Sequence, residues 1–347
     1  MSNNDDLVVK SVNFFSKQIH DSLEGALKIE VPTEFRQIKN IVACGMGGSR
    51  FPHYIIKELF KGEISVPYNF NDDYNLPGYV DENTLVILSS YSGTTEEVLF
   101  CGEKALERKA KIIAISAGGP LKDFITKINS PGYFFDPIYN PSGQPRIGFG
   151  YLVGGIMGLL FNLGVLKFDK QIVIDSIANL DKVTSNFKIE IEDKDNPAKQ
   201  MAAKILNKYP YYIVSEFLTG IGNAIANQTN ETAKSISSFR IIPELNHHML
   251  EGLKNPKELA KLSTFVFFFS KLFSPSIQKR FLITKEVIEK NNIETLWHEL
   301  KGKNKVEQAF ELMAFGSYLS MYLSKMYGEN PTAIPYVDYF KKKLSEV

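Results

Sequence analysis

The sequence predicts an α/β protein with two domains, each a mainly parallel sheet flanked by helices. First, apolar segments of strand length alternate with helical segments, as in "IKNIVACGMGGS" followed by "RFPHYIIKELF". A strand that is apolar on both faces is typical of a parallel sheet covered on both sides. Second, the same alternation restarts after a long polar segment, at "YPYYIVSEFLTGIGNAIANQTNETAK". Third, a length of 347 residues suits about two domains.

The first domain is assigned to residues 1–165. An amphipathic segment, "SVNFFSKQIHDSLEGAL", predicts an opening helix. Three apolar strands that end in small or polar residues are predicted within "IKNIVACGMGGS", "TLVILSSYSGTTEE" and "AKIIAISAGGP". The apolar segment "YLVGGIMGLLFNLGVL" is too short and too rich in glycine for a membrane span, so it predicts a buried helix.

The second domain is assigned to residues 166–347 and repeats this layout. Its first unit runs from the strand "YPYYIV" through a glycine-containing loop to a helix, and "STFVFFFS" and "RFLITKEV" are interpreted as further strands. A helix is predicted over Val306–Tyr327, and the basic segment "YVDYFKKKLSEV" ends the chain.

Composition excludes several classes of function. Forty Lys and Arg residues against 39 Asp and Glu residues give a formal charge of +1, so we expect neither a nucleic-acid partner nor a membrane partner. The opening "MSNNDDLVVK" is polar and acidic, unlike a signal peptide. Two cysteines, Cys44 and Cys101, are too few for a disulfide framework and suit a reducing compartment. The expected location is therefore the cytoplasm.

The segment "LVILSSYSGTTEE" carries the sharpest chemical signal. Ligands of parallel sheets bind at the carboxyl ends of the strands, where this stretch places its hydroxyls. Thr94 and Glu97 fit a capping box, so Gly93 to Thr95 should lie at a helix N-terminus, which attracts anions. Several neutral donors at a helix N-terminus suit a phosphate monoester. The other glycine loop, "CGMGGS", lacks the third glycine of a dinucleotide-binding motif.

Candidate acid–base groups occur close together in "NQTNETAKSISSFRIIPELNHHMLEG". Glu231 and Lys234 are three residues apart on one helical face, and this spacing alone also fits an ordinary surface ion pair. His247 and His248 follow in a segment that we interpret as a loop. Adjacent histidines lack the H-x-x-x-H spacing of a helical zinc site, so no metal and no other cofactor is expected.

These motifs together resemble a known family. "GMGGS" and "SSYSGTTEE" are similar to the phosphosugar-binding loops of sugar isomerase (SIS) domains, in which the S-x-S-G-x-T motif binds the sugar phosphate. With "PRIGFGY", "NETAK" and "PELNHH" in the same order, the chain resembles the bifunctional phosphoglucose/phosphomannose isomerases, which contain two SIS domains. The positions that match the phosphosugar-binding loops are Gly47, Gly48, Ser49, Ser90, Ser92, Gly93 and Thr95.

The resemblance also implies catalytic roles. Glu231 matches the base that moves a proton between C1 and C2, and Arg146 matches the arginine that stabilises the enediolate. His247 and Lys341 match the two groups that open the sugar ring. Departures from the family pattern leave His248 as an alternative to His247, and Lys342 and Lys343 as alternatives to Lys341. The resemblance further implies a homodimer in which the histidine is shared across the interface.

The implied reaction is interconversion of glucose 6-phosphate, and of mannose 6-phosphate, with fructose 6-phosphate. One rival interpretation is a SIS enzyme for another phosphosugar, or an isomerising aminotransferase domain. A second is a phosphosugar sensor without catalysis, although the first 28 residues are too short and not basic enough for a helix-turn-helix. A sensor would bind its ligand without needing Glu231, which separates it from an enzyme.

Overall fold

The computed structural model describes residues 3–344 and Glu346, and its first sheet is fully parallel. Five strands lie in the order β2-β1-β3-β4-β5. The strands β1 and β3 therefore lie side by side at the point where the chain reverses its direction across the sheet, the usual position of a ligand site. The strands are β1 (Asn40–Cys44), β2 (Tyr68–Asn71), β3 (Thr84–Ser89), β4 (Lys111–Ser116) and β5 (Gly132–Phe134).

The second sheet has four parallel strands in the order β7-β6-β8-β9. The prediction of two mainly parallel sheets flanked by helices is confirmed. Every strand of the first sheet precedes residue 165, and every strand of the second follows residue 166. The strands are β6 (Tyr209–Val214), β7 (Ser238–Ile241), β8 (Ser263–Phe269) and β9 (Glu294–Glu299).

Fourteen α-helices surround the two sheets in the described part of the chain. None of them is both long and apolar enough to cross a membrane. The helices are α1 (Asn3–Asn13), α2 (Phe15–Ala26), α3 (Phe51–Leu59), α4 (Glu96–Glu107), α5 (Gly119–Lys127), α6 (Gly150–Asn162), α7 (Lys170–Thr184), α8 (Pro197–Ile205), α9 (Thr219–Ala233), α10 (Met249–Gly252), α11 (Leu259–Leu262), α12 (Pro275–Lys290), α13 (Lys305–Tyr327) and α14 (Pro335–Leu344).

Packing of α3 on α9 joins the two domains and places the site. Helix α3 follows the tip of β1, and α9 follows β6 in the second domain. The rings of Tyr54 and Phe239 meet across this junction with centroids 6.4 Å apart. Arg50, at the start of α3, donates to Oδ1 of Asn223 on α9 at 3.4 Å. Helix α9 is thereby fixed relative to the strand tips of the first sheet.

One predicted strand is wrong: "RFLITKEV" lies within α12. Its β-branched and aromatic residues suggested a strand, but its buried positions follow the helical period. Phe281, Thr284 and Ile288 are buried at intervals of three and four residues, whereas Leu282 and Ile283 are 58% and 47% exposed. Tertiary packing of one helical face outweighs the intrinsic strand preference here.

The predicted opening helix is also divided. Phe14 has a non-helical backbone, with φ −93° and ψ 11°, and separates α1 from α2. The buried helix predicted near residues 151–166 is α6, and the helix predicted at Val306–Tyr327 is α13, which begins one residue earlier. Both predictions are confirmed.

Candidate active site

Two loops at the carboxyl edge of the first sheet are bonded to each other. The loop after β1 forms a short 3₁₀ turn over Gly47–Ser49. Its Ser49 Oγ accepts a hydrogen bond from the backbone N–H of Tyr91 at 2.8 Å. In return, Oγ of Ser89 donates to the carbonyl oxygen of Ser49 at 3.1 Å. These bonds hold the glycine loop against the hydroxyl-rich loop that follows β3.

The hydroxyl side chains of the loop after β3 differ in their burial and in their hydrogen bonds. Ser90 is buried, and its Oγ accepts from the N–H of Gly93 at 3.1 Å and of Thr95 at 3.4 Å. The same Oγ lies 2.7 Å from Oγ1 of Thr95. Ser92 and Thr94 are exposed, with their hydroxyl oxygens 2.8 Å apart. Ser90 and Thr95 therefore shape the loop, while the hydroxyls of Ser92 and Thr94 are available to a ligand.

The predicted capping box is wrong in detail. Helix α4 begins at Glu96, its N-cap residue is Thr95 rather than Thr94, and no side chain caps it. The Thr95 hydroxyl bonds to Ser90 instead. As a result, the first backbone N–H groups of α4 have no side-chain cap, and a helix N-terminus of this kind favours an anion.

Gly93 is required by the shape of this loop. Its φ of +75° lies in the left-handed region, and a Cβ there would lie 1.8 Å from the carbonyl oxygen of Gly118. That oxygen belongs to the loop after β4, and the N–H of Leu121 returns a bond to the Gly93 carbonyl at 3.0 Å. Only glycine fits between these two loops.

Arg146 lies beside the glycine loop and is almost completely buried. A Cβ on Gly48 would lie 3.0 Å from its backbone nitrogen, so the two segments touch. Its guanidinium has Nε bonded to Oγ1 of Thr232 at 3.1 Å and Nη1 bonded to Oε1 of Gln144 at 2.8 Å. Nη2 donates to the carbonyl oxygens of Pro331 at 2.7 Å and Thr332 at 3.2 Å.

These contacts leave one donor of Arg146 uncommitted within the described residues. A guanidinium has five N–H groups, and four are directed to the acceptors just named. The remaining N–H is on Nη1, whose nitrogen lies 3.5 Å from Oε2 of Glu231. Arg146 is 1% exposed and Glu231 is 32% exposed. The site thus presents one fixed donor and one partly accessible carboxylate side by side.

The electrostatics of Glu231 suit a proton-transfer group. Burial raises the pKa of its carboxyl above the usual value of 4.5, because removal from water disfavours the charged form. The positive charges of Arg146, Lys341 and Lys234, in decreasing order, oppose that rise. A carboxylate whose pKa is raised by burial has a higher proton affinity, which suits a group that must accept a proton.

The three C-terminal lysine candidates differ in their surroundings. All lie in the exposed helix α14. The charge of Lys341 lowers the pKa of Glu231, and Nζ of Lys343 pairs with Oε2 of Glu346 at 2.6 Å. Lys341 therefore has an electrostatic connection to the site.

His247 lies apart from this cluster. It ends a 3₁₀ turn over Glu244–His247, where a loop was predicted, and its side chain is exposed. In the described parts of the chain no hydrogen bond or ion pair joins its ring to Arg146 or Glu231. Nε2 of His248 lies 3.7 Å from Oε1 of Glu244, at the surface. Within one chain, the structure brings Arg146, Glu231 and the two loops together, but not the histidines.

Sequence reasoning missed the residues that fix Arg146. Thr232 follows Glu231 directly and Gln144 precedes Arg146 by two residues, so a motif search centred on the charged residues passes over them. The carbonyl oxygens of Pro331 and Thr332 belong to the backbone, so the pattern of side chains does not indicate their role. The hydrogen bonds of the Arg146 guanidinium identify all four residues.

The chain is similar to a known family and to solved structures. A family model described as "Bacterial phospho-glucose isomerase C-terminal SIS domain" matches residues 194–344. A solved structure of a hypothetical protein from Thermus thermophilus superposes with a TM-score of 0.74 at 14% identity, covering 97% of this chain and 90% of that one. This likeness supports the fold.

Two curated relatives are more informative about the family. A D-glucosamine-6-phosphate 4-epimerase from Sulfolobus acidocaldarius is 30% identical over 66% of this chain and 68% of its own length. The bifunctional phosphoglucose/phosphomannose isomerase of Caldicellulosiruptor bescii is 32% identical over 97% of this chain and 99% of its own length. This chain therefore belongs to the bifunctional phosphoglucose/phosphomannose isomerase family.

Proposed function

We propose that this protein interconverts fructose 6-phosphate with glucose 6-phosphate and with mannose 6-phosphate. The observation that carries the proposal is the ion pair between Nη1 of Arg146 and Oε2 of Glu231, next to the glycine loop that is bonded to the hydroxyl-rich loop. Aldose–ketose interconversion needs these parts: a base for the proton, a donor for the developing oxyanion and a remote anchor. Membership of the family supports the same reaction.

In the proposed mechanism the sugar phosphate binds at the N-terminus of α4 against the hydroxyls of Ser92 and Thr94. After ring opening, the carboxylate of Glu231 removes a proton from C1 of fructose 6-phosphate. The electrons form a cis-enediolate, whose negative oxygen accepts a hydrogen bond from Nη1 of Arg146. The hydroxyl proton on O1 passes to O2 by way of water, and Glu231 returns its proton to C2, which yields the aldose. One carboxylate thus serves as base and then as acid.

Ring opening is assigned to His247 and Lys341. Lys341 acts electrostatically on Glu231, which supports its place in the site. His247 is exposed and has no bond to the Arg146–Glu231 pair in the described residues, so we propose that a second copy of the chain supplies it. The active protein would then be a homodimer with His247 shared across the interface. Its location would be the cytoplasm.

The direct test is conversion of fructose 6-phosphate in the presence of EDTA, with glucose 6-phosphate and mannose 6-phosphate followed separately by coupled dehydrogenase assays. Formation of both products is the expected result. The relative named D-glucosamine-6-phosphate 4-epimerase makes an amino-sugar phosphate the second candidate substrate. Turnover of glucosamine 6-phosphate, with none of fructose 6-phosphate, would overturn the proposal in favour of that alternative.

Activity should fall on the acid side as Glu231 becomes protonated. The base must be ionised to accept a proton, and burial raises its pKa above 4.5. We therefore expect kcat/KM to decrease tenfold per pH unit below a midpoint that lies above 4.5. A pH profile of kcat/KM measures this. A profile that stays flat through pH 5 and below would contradict the assignment of Glu231 as the base.

Replacing Gly93 with alanine should damage phosphate binding. The new Cβ would collide with the Gly118 carbonyl, so the hydroxyl loop must move. We expect the KM for fructose 6-phosphate to rise at least about tenfold, together with some loss of stability. Gly164→Ala is the matched control, because its φ is also +75° but nothing lies within 4 Å of the added Cβ. An equal change in KM for both variants would contradict the close fit at Gly93.

A further inference from the structure

The segment between α13 and α14, residues 328–334, is held by the two buried or half-buried cations of the site. Nη2 of Arg146 donates to the carbonyl oxygens of Pro331 and Thr332. Nζ of Lys234 donates to the carbonyl oxygen of Asn330. Three consecutive backbone carbonyls of this connection are therefore hydrogen-bonded to Arg146 or to Lys234.

Lys234 occupies a backbone position that favours glycine. It ends α9 with a φ of 53°, in the left-handed region, where a residue with a Cβ is strained. Its side chain is partly buried and donates to the carbonyl oxygen of Thr232 at 3.2 Å as well as to Asn330. Burial, with the Arg146 charge, lowers the pKa of its ammonium to about 8. A strained, partly desolvated lysine indicates that the side chain, rather than the backbone turn, is needed here.

Fixing Asn330 fixes the rest of the connection. Oδ1 of Asn330 accepts from the N–H of Thr332 at 2.9 Å, from its Oγ1 at 2.8 Å, and from the N–H of Ala333 at 3.3 Å. This compact turn leads into α14, which buries none of its side chains. Lys341 is six residues into that helix, or about 9 Å along its axis. Its position therefore depends strongly on the connection.

We propose that Lys234 is a positioning residue that holds the connection between α13 and α14, so that Lys341 is placed near Glu231. This inference rests on the proposed function, because it assigns Lys341 a part in the same reaction. Lys234 itself touches no reacting atom. It acts through Asn330 and the turn that follows.

Lys234→Gly tests this with the backbone strain removed. Glycine adopts a φ of 53° freely, so the variant should unfold at the same temperature as the wild type or higher. Its kcat should nevertheless fall roughly ten- to a hundredfold, with KM changed less than about twofold. Lys109→Gly is the matched control, since Lys109 has a φ of 57° and lies at the exposed end of α4. That variant should keep wild-type kcat.

A double-mutant cycle with Lys341→Ala identifies the route of the effect. If Lys234 acts through Lys341, adding Lys234→Gly to Lys341→Ala should lower kcat by less than about twofold more. If the loss of kcat in the double variant instead equals the product of the losses in the two single variants, the proposal is overturned. A fully active Lys341→Ala variant would overturn it as well, because Lys341 would then have no role to support.

Amide hydrogen exchange gives a readout that does not depend on activity. Exchange over residues 328–344 should be faster in Lys234→Gly than in the wild type and in Lys109→Gly. Unchanged exchange would overturn the positioning role even if the isomerase assignment stands. Conversely, if exchange is faster in Lys234→Gly but the wild-type protein turns over no phosphosugar, the structural role of Lys234 stands and only the proposed function is overturned.

Discussion

Glu231→Gln is expected to lower kcat by about 10³-fold or more while fructose 6-phosphate still binds. An amide has nearly the shape of the carboxylate but cannot accept the proton from C1, and general-base catalysis contributes about 10²–10⁴-fold. In the proposed mechanism the loop after β3, in the other domain, binds the phosphate, so the binding energy from that end of the substrate should be retained. Turnover is measured by the coupled assays and binding by calorimetry.

A second carboxylate serves as the control for this experiment. Burial also raises the pKa of Glu311, but its Oε2 accepts hydrogen bonds from the backbone N–H groups of both Lys301 and Gly302 at 2.9 Å. Glu311→Gln should therefore lower the free energy of unfolding and leave kcat near the wild-type value. Wild-type kcat in Glu231→Gln would contradict the mechanism and favour a different base, whereas a wild-type protein that binds fructose 6-phosphate without turnover would favour a phosphosugar sensor.

Arg146→Gln is expected to lower kcat by about 10²–10³-fold, the usual cost of removing an oxyanion donor. The pKa of Glu231 should rise further, because the Arg146 charge lowers it in the wild type. The acid limb of the pH profile should accordingly move to higher pH. This shift separates an electrostatic role from loss of fold, which would lower activity equally at every pH.

Stability must be measured alongside, since Arg146 is buried and bonds to four other residues. Removing it leaves several acceptors unpaired, so the melting temperature should also decrease. Arg36→Gln, at an exposed position before β1, controls for the loss of a positive charge. An Arg146→Gln variant with an unshifted acid limb and wild-type kcat would contradict the role of Arg146.

The fold could be predicted from the sequence wherever strands were apolar throughout. β1, β3, β4, β6 and β8 fit that description, and their burial on both faces explains why. The strands β2 and β7 are partly exposed and polar, as in "YNFN", so they resemble loops. The strand prediction for "RFLITKEV" was wrong for the opposite reason. Residues that favour strands lie on both the exposed and the buried faces of helix α12.

The site was predictable in part. The loops could be located because small and hydroxyl residues follow apolar strands, and strand ends meet at one sheet edge. The pairing of Arg146 with Glu231 joins two domains, and no local pattern connects them; their roles came from the family resemblance. Thr232, Gln144 and the carbonyls that hold Arg146 required the three-dimensional contacts. The role proposed for Lys234 also depends on a long-range contact, because its partner Asn330 lies almost a hundred residues further along the chain.

The most direct test of proton transfer by Glu231 is conversion of fructose 6-phosphate in D₂O, followed by NMR. A carboxyl group that holds the proton during the reaction exchanges it with solvent, so we expect deuterium at C2 of the glucose 6-phosphate and mannose 6-phosphate that form. The Glu231→Gln variant should show neither product nor exchange. Aldose products formed without any deuterium at C2, or exchange that persists in Glu231→Gln, would contradict proton transfer by Glu231.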